Sequence, residues 1–255
     1  MSYAEKMEKL VQLSGGTIED GLFVTEPGVK LLACTELEDG SHELFDAMNI
    51  DDDRPDYEQL AEFNSRVTYL SFNDESSSSK EYNRKMVEEF GHLSVHSSYQ
   101  ATFLLAGVAL ETCLELVAHS EASVSRLTSS RTKAQDRPLF RISGGEGERQ
   151  LQKEITSHIS ERVQDNHGYD GLSKDERERI NRLYGGNKCT ALTYTMTIKD
   201  FHKTFIGRLS HHGVESGMRE VCEKMCDVLH GKYPLVVRKP DHYYQLNNAE
   251  KYEMG

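Results

Sequence analysis

One stretch constrains the fold more than any other: an apolar, strand-forming run leads directly into a helix-forming run. Residues 98–108, SYQATFLLAGV, are rich in strand formers and predict a buried strand. Residues 109–122, ALETCLELVAHSEA, are mostly helix formers and place Leu110, Leu114 and Val117 on one helical face. We therefore expect a buried strand that is followed, without a long loop, by an amphipathic helix.

Composition and charge argue against two classes of function. The net charge of -12 over 255 residues is unlike that of a general nucleic-acid binder, which needs a basic face. The longest apolar run, FLLAGVAL, is far shorter than the roughly 20 residues of a membrane span. The N-terminal segment MSYAEKMEKLVQL lacks the apolar core of a signal peptide. We expect a cytoplasmic protein that binds neither nucleic acid nor a membrane.

The five cysteines form an odd and scattered set, which indicates free thiols rather than a disulfide framework. Cys222, Cys226 and His230 follow a spacing of four residues and form one stripe of a helix. No second ligand pair with zinc-like spacing accompanies them, so we interpret the stripe as buried thiols and predict no metal site. Cys113 falls on a helix face expected to be buried, without an obvious base, and is not expected to be a nucleophile.

Other patterns predict several helices and fewer strands. Residues 22–37 predict a pair of strands around a Pro-Gly turn, and residues 65–72 predict either a short strand or a helix end. A further helix is expected to end near Gly91, which places His92 on the following turn. The strands are not spaced as βαβ units, so we predict an α+β fold. Helices are also expected at 151–164, 173–184, 197–210 and 214–232.

Two polar segments are candidates for anion sites. The glycine-rich segment GGEGE, residues 144–148, carries two acidic residues and is not expected to have the strand before it and the helix after it that a phosphate loop needs. The stretch 117–135 is different because Arg126, Arg131 and Lys133, with Arg137 just after it, make it locally basic in an acidic protein. Two interpretations of this stretch stay open: a solvated loop, or one side of a site that binds an anion.

Four segments, in a consistent order, resemble flavin-dependent thymidylate synthases. That family carries R-H-R-x-x-S-x-N-x-x-S-x-R-Y, reached through F-x-F-x-I-x-G-V-S-R-A-C-x-x-Q-L-V-R-H-R. SRVTYLSF (65–72) resembles the family's A-R-V-S-Y segment, and FGHLS (90–94) resembles its G-H-x-T/S turn. TALTYTMTIKDFHKTFIGR (190–208) resembles its T-x-x-x-x-T-x-N-x-R-x-L-x-H-F-x-x-L-R segment. In ATFLLAGVALETCLELVAHSEAS the matching residues are Phe103, Leu105, Gly107, Val108, Leu116, Val117, His119 and Ser123.

The resemblance implies a fold and a reaction. The fold would be a single α+β domain over 1–255, with a mainly antiparallel sheet flanked by several helices, in a homotetramer. Its core would span about 20–235, with an N-terminal helix or extension at 1–19, a variable insert at 143–172 and a C-terminal tail at 236–255. The reaction would transfer a one-carbon unit from methylenetetrahydrofolate to carbon 5 of a uracil nucleotide, dUMP or a relative, with FAD as cofactor and NADPH as co-substrate.

The resemblance also implies roles for individual residues. Arg208 matches the arginine that polarises the pyrimidine ring and is the expected catalytic residue. The expected cofactor-binding residues are His92, Ser94, His119, Ser120, Thr197, Lys199 and Lys203. The expected substrate-binding residues are Glu115, Thr128, Ser129, Ser130, Arg131 and Arg182, and the hydroxyls and arginines among them would hold the nucleotide phosphate.

Several departures from the family pattern bear on ligand binding. Both arginines of R-H-R are replaced, by Ala118 and Ser120, and the motif asparagine is Ser125. The arginine upstream aligns with Asn181, next to Arg182. Each lost charged donor removes hydrogen bonds worth roughly 1.5–3 kcal/mol. The contacts that hold the ligands must therefore differ from those of the family. Two alternatives stay open: a rebuilt site that acts on another pyrimidine nucleotide, and an inactive nucleotide-binding or oligomeric protein.

Overall fold

The computed structural model describes residues 3–50, 54–69, 79–118, 120–127, 139–166 and 185–246. Helices and short strands alternate there without a regular βαβ repeat, which confirms the predicted α+β class. Two compact units make up the chain, and each consists of three separate segments. The first unit comprises Met1–Lys30, Phe103–Tyr194 and Gly213–Met225; the second comprises Leu31–Thr102, Thr195–His212 and Cys226–Gly255. The predicted single domain and its boundaries stay predictions.

The elements of the described residues are as follows. The strands are β1 (Thr17–Glu19), β2 (Phe23–Glu26), β3 (Gly28–Cys34), β4 (Gln100–Ala109), β5 (Ser123–Arg126), β6 (Phe140–Arg141) and β7 (Cys189–Thr197). The α-helices are α1 (Tyr3–Leu13), α2 (Ser41–Asp46), α3 (Asp56–Tyr69), α4 (Ser79–Arg84), α5 (Leu110–Ala118), α6 (Glu146–Asn166), α7 (Ile198–Leu209), α8 (Ser216–Lys232) and α9 (Pro240–Tyr244). A π-helical turn (Lys85–Glu89) follows α4, and 3₁₀ turns span Leu93–His96 and Gly185–Asn187.

Most local predictions agree with these elements. β4 runs directly into α5, and the helices expected at 151–164, 197–210 and 214–232 are α6, α7 and α8. The segment 65–72 belongs to the end of α3, as far as it is described. The helix predicted at 173–184 lies outside the described residues. No helix in the described part of the chain is both long and apolar enough to cross a membrane.

The predicted pairing around Pro27 is wrong, although both strands are present. β2 lies in a three-stranded sheet of order β1-β2-β6, whereas β3 lies in a four-stranded sheet of order β3-β4-β7-β5. Only one residue, Pro27, separates the two strands, and a hairpin loop normally needs at least two. Within the smaller sheet β1 and β2 are antiparallel, and β6 joins β2 in parallel, with Phe140 opposite Phe23.

The first unit contains a core built on α1. Met7 and Val11, four residues apart on one face of α1, are buried in a cluster with Val24 of β2 and Ala106 of β4. Gly107 follows in β4 with φ +73°, and a Cβ at this position would lie 2.9 Å from methyl groups of both Val11 and Val24. Glycine therefore meets two demands here, a left-handed backbone and a close contact.

The second unit contains an aromatic core and a buried ion network. Tyr57 contacts both Tyr99 and Tyr233 edge to face, with ring centroids 6.3 and 5.0 Å apart. On α3, the fully buried Glu62 pairs with Arg54 and Arg66, each at 2.6 Å between nitrogen and oxygen. A carboxylate with no exposed surface is tolerated because two guanidinium groups neutralise it.

The buried face of α5 differs from the predicted face. Leu114 and Val117 are 52% and 42% exposed, whereas Thr112, Cys113 and Leu116 are buried. The helix carries apolar residues around most of its circumference, so spacing alone does not identify the inner face. Burial of Cys113 agrees with the expectation that it is not a nucleophile, and this burial raises the pKa of its thiol although Arg126 acts in the opposite direction.

Candidate functional site

Helix α7 positions four of the predicted site residues in the second unit. It follows β7 without a loop, and Thr197 is its N-cap: the Thr197 hydroxyl accepts a hydrogen bond from the Asp200 amide at 3.1 Å. The same hydroxyl donates to the Asp200 carboxylate. Thr197 is thus engaged in capping the helix, and Lys199, Lys203 and Arg208 follow at fixed helical positions.

The three cations of α7 lie on two opposite flanks. Lys199 and Lys203 are four residues apart and share one flank, half-buried and exposed respectively. Arg208 is half-buried in the last turn, nine residues after Lys199, which at 3.6 residues per turn is about 180° around the helix. The inner face between the flanks is apolar, with Phe201 and Phe205 fully buried.

His92 lies on a turn whose backbone conformation is fixed by the residues just before it. The Phe90 amide donates to Lys85 across the π-helical turn, and Gly91 then takes a left-handed φ of +62°. The His92 amide donates to the Met86 carbonyl at 2.8 Å, which closes the helix end. This confirms the predicted position of His92 just after a helix. Widened π turns of this kind are frequent at functional sites.

The His92 side chain contacts two aromatic residues. The Tyr69 hydroxyl lies 2.9 Å from His92 Nδ1, and the two rings stack with centroids 5.7 Å apart and an interplanar angle of 21°. Phe90 is the second aromatic contact, with its ring centroid 5.9 Å from that of the His92 imidazole. Tyr69 and Phe90 are 51% and 58% exposed, so the cluster borders solvent. Ser94, two residues after His92, is exposed on the 3₁₀ turn.

Two further residues predicted for the site lie in the first unit. The Ser120 hydroxyl donates to the Leu116 carbonyl at 2.7 Å, a local bond that closes the end of α5. Glu115 is half-buried on α5. Ala118 is exposed and offers no polar group. In this region the described residues therefore offer fewer donors than the family's R-H-R motif.

Comparison with solved structures identifies the fold. Thymidylate synthase X (ThyX) from Helicobacter pylori, solved with FAD and dUMP, aligns with a TM-score of 0.59 and 15% identity, over 86% of this chain and 99% of that chain. The chain has a ThyX-like fold. The UMP/dUMP methylase PolB from Streptomyces cacaoi, bound with 5-Br UMP, aligns with a TM-score of 0.58 and 13% identity, over 88% of this chain and 98% of that chain. No family model and no curated protein matches the sequence.

The ThyX-like fold agrees with the sequence resemblance, but the predicted site is described only in part. His92, Ser94, Thr197, Lys199, Lys203 and Arg208 belong to the second unit, and Glu115 and Ser120 belong to the first. The remaining predicted positions lie outside the described residues: His119, Thr128, Ser129, Ser130, Arg131 and Arg182. The roles of all of these residues stay predictions.

Sequence reasoning missed two buried histidines in the second unit. His202, on the inner face of α7, has its Nδ1 2.8 Å from the Tyr243 hydroxyl, which accepts a hydrogen bond from the Arg238 amide. Desolvation lowers the pKa of His202, and that of the buried His96, to about 4. His202 is preceded by Phe201 and followed at helical spacing by Phe205 and Ile206, and this apolar periodicity was the available signal for its burial.

The cysteine stripe of α8 makes its contacts within the protein. Cys222 and Cys226 are buried, the Cys226 thiol donates to the Arg238 carbonyl, and His230 Nδ1 lies 2.7 Å from the Val237 carbonyl oxygen. Within the described ranges no three histidine, cysteine or acidic side chains gather closely enough to hold a metal ion.

A polar cleft of about 240 Å³ in the first unit was also missed. Its wall includes Arg141, whose guanidinium donates to backbone carbonyls of β2 and pairs with Glu220. The cleft borders GGEGE, and the expectation of neither a strand before this segment nor a helix after it is wrong, because β6 precedes it and α6 begins at Glu146. The Gly145 amide, which could bind an anion at this helix start, donates to the Glu148 carboxylate. A side chain of α6 therefore already occupies the position that a bound anion would take.

Proposed function

We propose that this protein transfers a one-carbon unit from methylenetetrahydrofolate to carbon 5 of a uracil nucleotide, dUMP or a close relative, with FAD as cofactor and NADPH as reductant. The supporting observation is the arrangement of α7 within a ThyX-like fold. This helix carries Thr197, Lys199, Lys203 and Arg208 at the spacing of the family segment, and it is anchored by a capped start and an aromatic inner face. Crystal structures of this fold contain dUMP or 5-Br UMP.

Arg208 is the residue proposed to act on the pyrimidine. Substitution at carbon 5 of a uracil ring places negative charge on the ring and its carbonyl oxygens, and a fixed guanidinium stabilises that charge. Arg208 is half-buried in the last turn of a helix whose inner face is fully packed. A cation held by such a helix needs little reorganisation when charge develops on the substrate.

The described residues fit a flavin in part. Lys199, Lys203, His92 and Ser94 offer donors that solvent reaches, whereas the hydroxyls of Ser120 and Thr197 are engaged in local hydrogen bonds. We therefore assign the anionic portion of the cofactor to the lysines rather than to Ser120. The flavin, when bound, supplies the hydride that completes the new one-carbon group. The protein holds and orients the rings.

The two cationic flanks of α7 support an oligomeric enzyme. Lys199 and Arg208 are about 180° apart around one helix, so a single small ligand does not contact both. We propose that the lysine flank serves the cofactor and the arginine flank serves the nucleotide. In a homotetramer each flank would complete a site together with a neighbouring copy, and sites shared between copies are common in symmetric assemblies.

The nucleotide phosphate is assigned to residues outside the described ranges. Arg131 with Thr128, Ser129 and Ser130 would hold it through charge-assisted hydrogen bonds, with Arg182 and Glu115 at the same ligand. These assignments rest on the sequence resemblance.

A second candidate function is a rebuilt site that acts on another pyrimidine nucleotide. The observation in its favour is that Ser120 and Thr197, at positions where the family contacts flavin, direct their hydroxyls to the protein itself. The similarity to PolB, a UMP/dUMP methylase, shows that this fold is also found in a protein that acts on a ribonucleotide. The inactive nucleotide-binding protein remains the third alternative.

Flavin binding tests the cofactor assignment. The purified protein is titrated with FAD, and binding is followed by visible absorbance and by fluorescence quenching. We expect saturable binding that the double variant Lys199→Ala/Lys203→Ala weakens at least tenfold, since each charged hydrogen bond contributes roughly 1.5 kcal/mol or more. Lys232→Ala, at the exposed end of α8, is the matched control and leaves the affinity unchanged. Absence of FAD binding by the native protein contradicts the proposal and favours the rebuilt site.

A further inference from the structure

Tyr69 makes a contact with His92 that the family resemblance does not assign. Tyr69 is the last residue of α3, and its hydroxyl lies 2.9 Å from His92 Nδ1 while its ring stacks on the imidazole. Both residues belong to the second unit. A hydrogen bond and a ring contact from one partner fix the position of the imidazole and its rotation about its own axis.

The backbone supports the same orientation. The His92 amide is bonded to Met86, and the left-handed Gly91 fixes the direction in which the chain enters the turn. Phe90 contacts the imidazole as well, at 5.9 Å between ring centroids. Because two aromatic neighbours and the backbone constrain the ring, the remaining variable is which of its two nitrogens carries the proton.

The contact at Nδ1 admits either direction of donation, and the tautomer follows from the choice of the Tyr69 hydroxyl as the donor. A neutral imidazole has one N–H donor and one acceptor nitrogen, and a hydrogen bond to one nitrogen selects the tautomer. A phenol O–H donated to Nδ1 requires that nitrogen to be the acceptor. The proton then resides on Nε2. His92 is only half-buried, so part of its ring remains accessible to a ligand.

We propose that Tyr69 is a positioning residue: its hydroxyl holds His92 as the Nε2–H tautomer, which presents one fixed donor to an acceptor atom of a planar heteroaromatic ligand. A ring carbonyl of a flavin or a pterin has the required chemistry. The ligand portion of this inference rests on the proposed function. The tautomer portion rests on the geometry of the free protein and on the phenol O–H as the donor to Nδ1.

The tautomer is measured directly by nitrogen-15 NMR of histidine-labelled protein at alkaline pH, where imidazole is neutral. His92→Asn identifies the His92 signals among those of the 11 histidines. We expect a single tautomer with the proton on Nε2 in the native protein and a mixture of both tautomers in Tyr69→Phe. The control Phe90→Leu removes a ring contact but keeps the hydrogen bond, and it leaves the tautomer unchanged. A proton on Nδ1 in the native protein, or an unchanged tautomer in Tyr69→Phe, overturns the proposal.

Ligand affinity tests the second portion. FAD is titrated into native protein and Tyr69→Phe, and tetrahydrofolate is titrated into the FAD-loaded forms. Loss of the orienting hydroxyl is expected to weaken at least one of these affinities about three- to tenfold. Native affinity of Tyr69→Phe for both probes overturns the role toward the ligand. Failure of native protein to bind either probe contradicts both the ligand role and the proposed function, whereas the NMR result stands independently of it.

Discussion

Replacing Gly107 with alanine is expected to destabilise the first unit by about 2–4 kcal/mol. The backbone φ of +73° costs an L-residue roughly 1–2 kcal/mol. The new methyl group would also lie 2.9 Å from the methyls of Val11 and Val24, both fully buried, and overpacking of a core costs typically 1–3 kcal/mol. The lower chain entropy of alanine in the unfolded state offsets about 0.4–1 kcal/mol of this. The net loss is a large part of an ordinary stability of about 5–15 kcal/mol.

Urea unfolding followed by circular dichroism measures this loss, with Gly15→Ala as the matched control. Gly15 also has a positive φ, +83°, but no atom lies within 4 Å of the position of its Cβ. We expect Gly15→Ala to cost about 1 kcal/mol, because the same entropy gain in the unfolded state offsets part of the backbone strain. A combined Val11→Ala/Gly107→Ala variant should lose less than the two single losses together, because the smaller side chain makes room for the new methyl. Equal effects of Gly107→Ala and Gly15→Ala would refute the packing argument.

Two further predictions concern the second unit. Glu62→Gln is expected to cost roughly 3 kcal/mol in urea unfolding, because it removes the buried carboxylate that Arg54 and Arg66 share. A loss below about 1 kcal/mol would show that this shared carboxylate contributes little to stability. The folded-state pKa values of His96 and His202, about 4, lie below the ordinary histidine value, so the unfolded chain binds more protons between pH 4 and 6.5. The free energy of unfolding should therefore fall as the pH is lowered through this window, and a flat profile between pH 6.5 and 5, where most carboxylates stay ionised, would contradict the burial of these two imidazoles.

Elements with a strong local signal were predictable from the sequence. β4 combines a run of strand formers with an immediate transition to helix formers, and α7 combines helical periodicity with an N-cap at Thr197. The turn that holds His92 was predictable because Gly91 is a suitable residue for a helix end. In each case residues close in sequence determine the structure.

Features that depend on distant partners were not predictable in the same way. The separation of β2 and β3 into two sheets depends on which strands lie beside them, and the hydrophobic pattern of 22–37 does not specify those neighbours. The inner face of α5 is set partly by the bond between the Thr112 hydroxyl and Glu215, which is 103 residues away. The contact of Tyr69 with His92 likewise joins two segments that no spacing rule relates.

The most direct test of the proposed reaction is release of the hydrogen at carbon 5 of dUMP, measured with carbon-5-tritiated dUMP in the presence of FAD, NADPH and methylenetetrahydrofolate. We predict folate-dependent tritium release by the native protein and a decrease of about 10²–10³-fold in Arg208→Ala, the range for loss of one donor to a developing anion. Arg162→Ala, on the exposed surface of α6, should retain native activity. No tritium release by flavin-loaded native protein, or an undiminished rate in Arg208→Ala, would contradict the account.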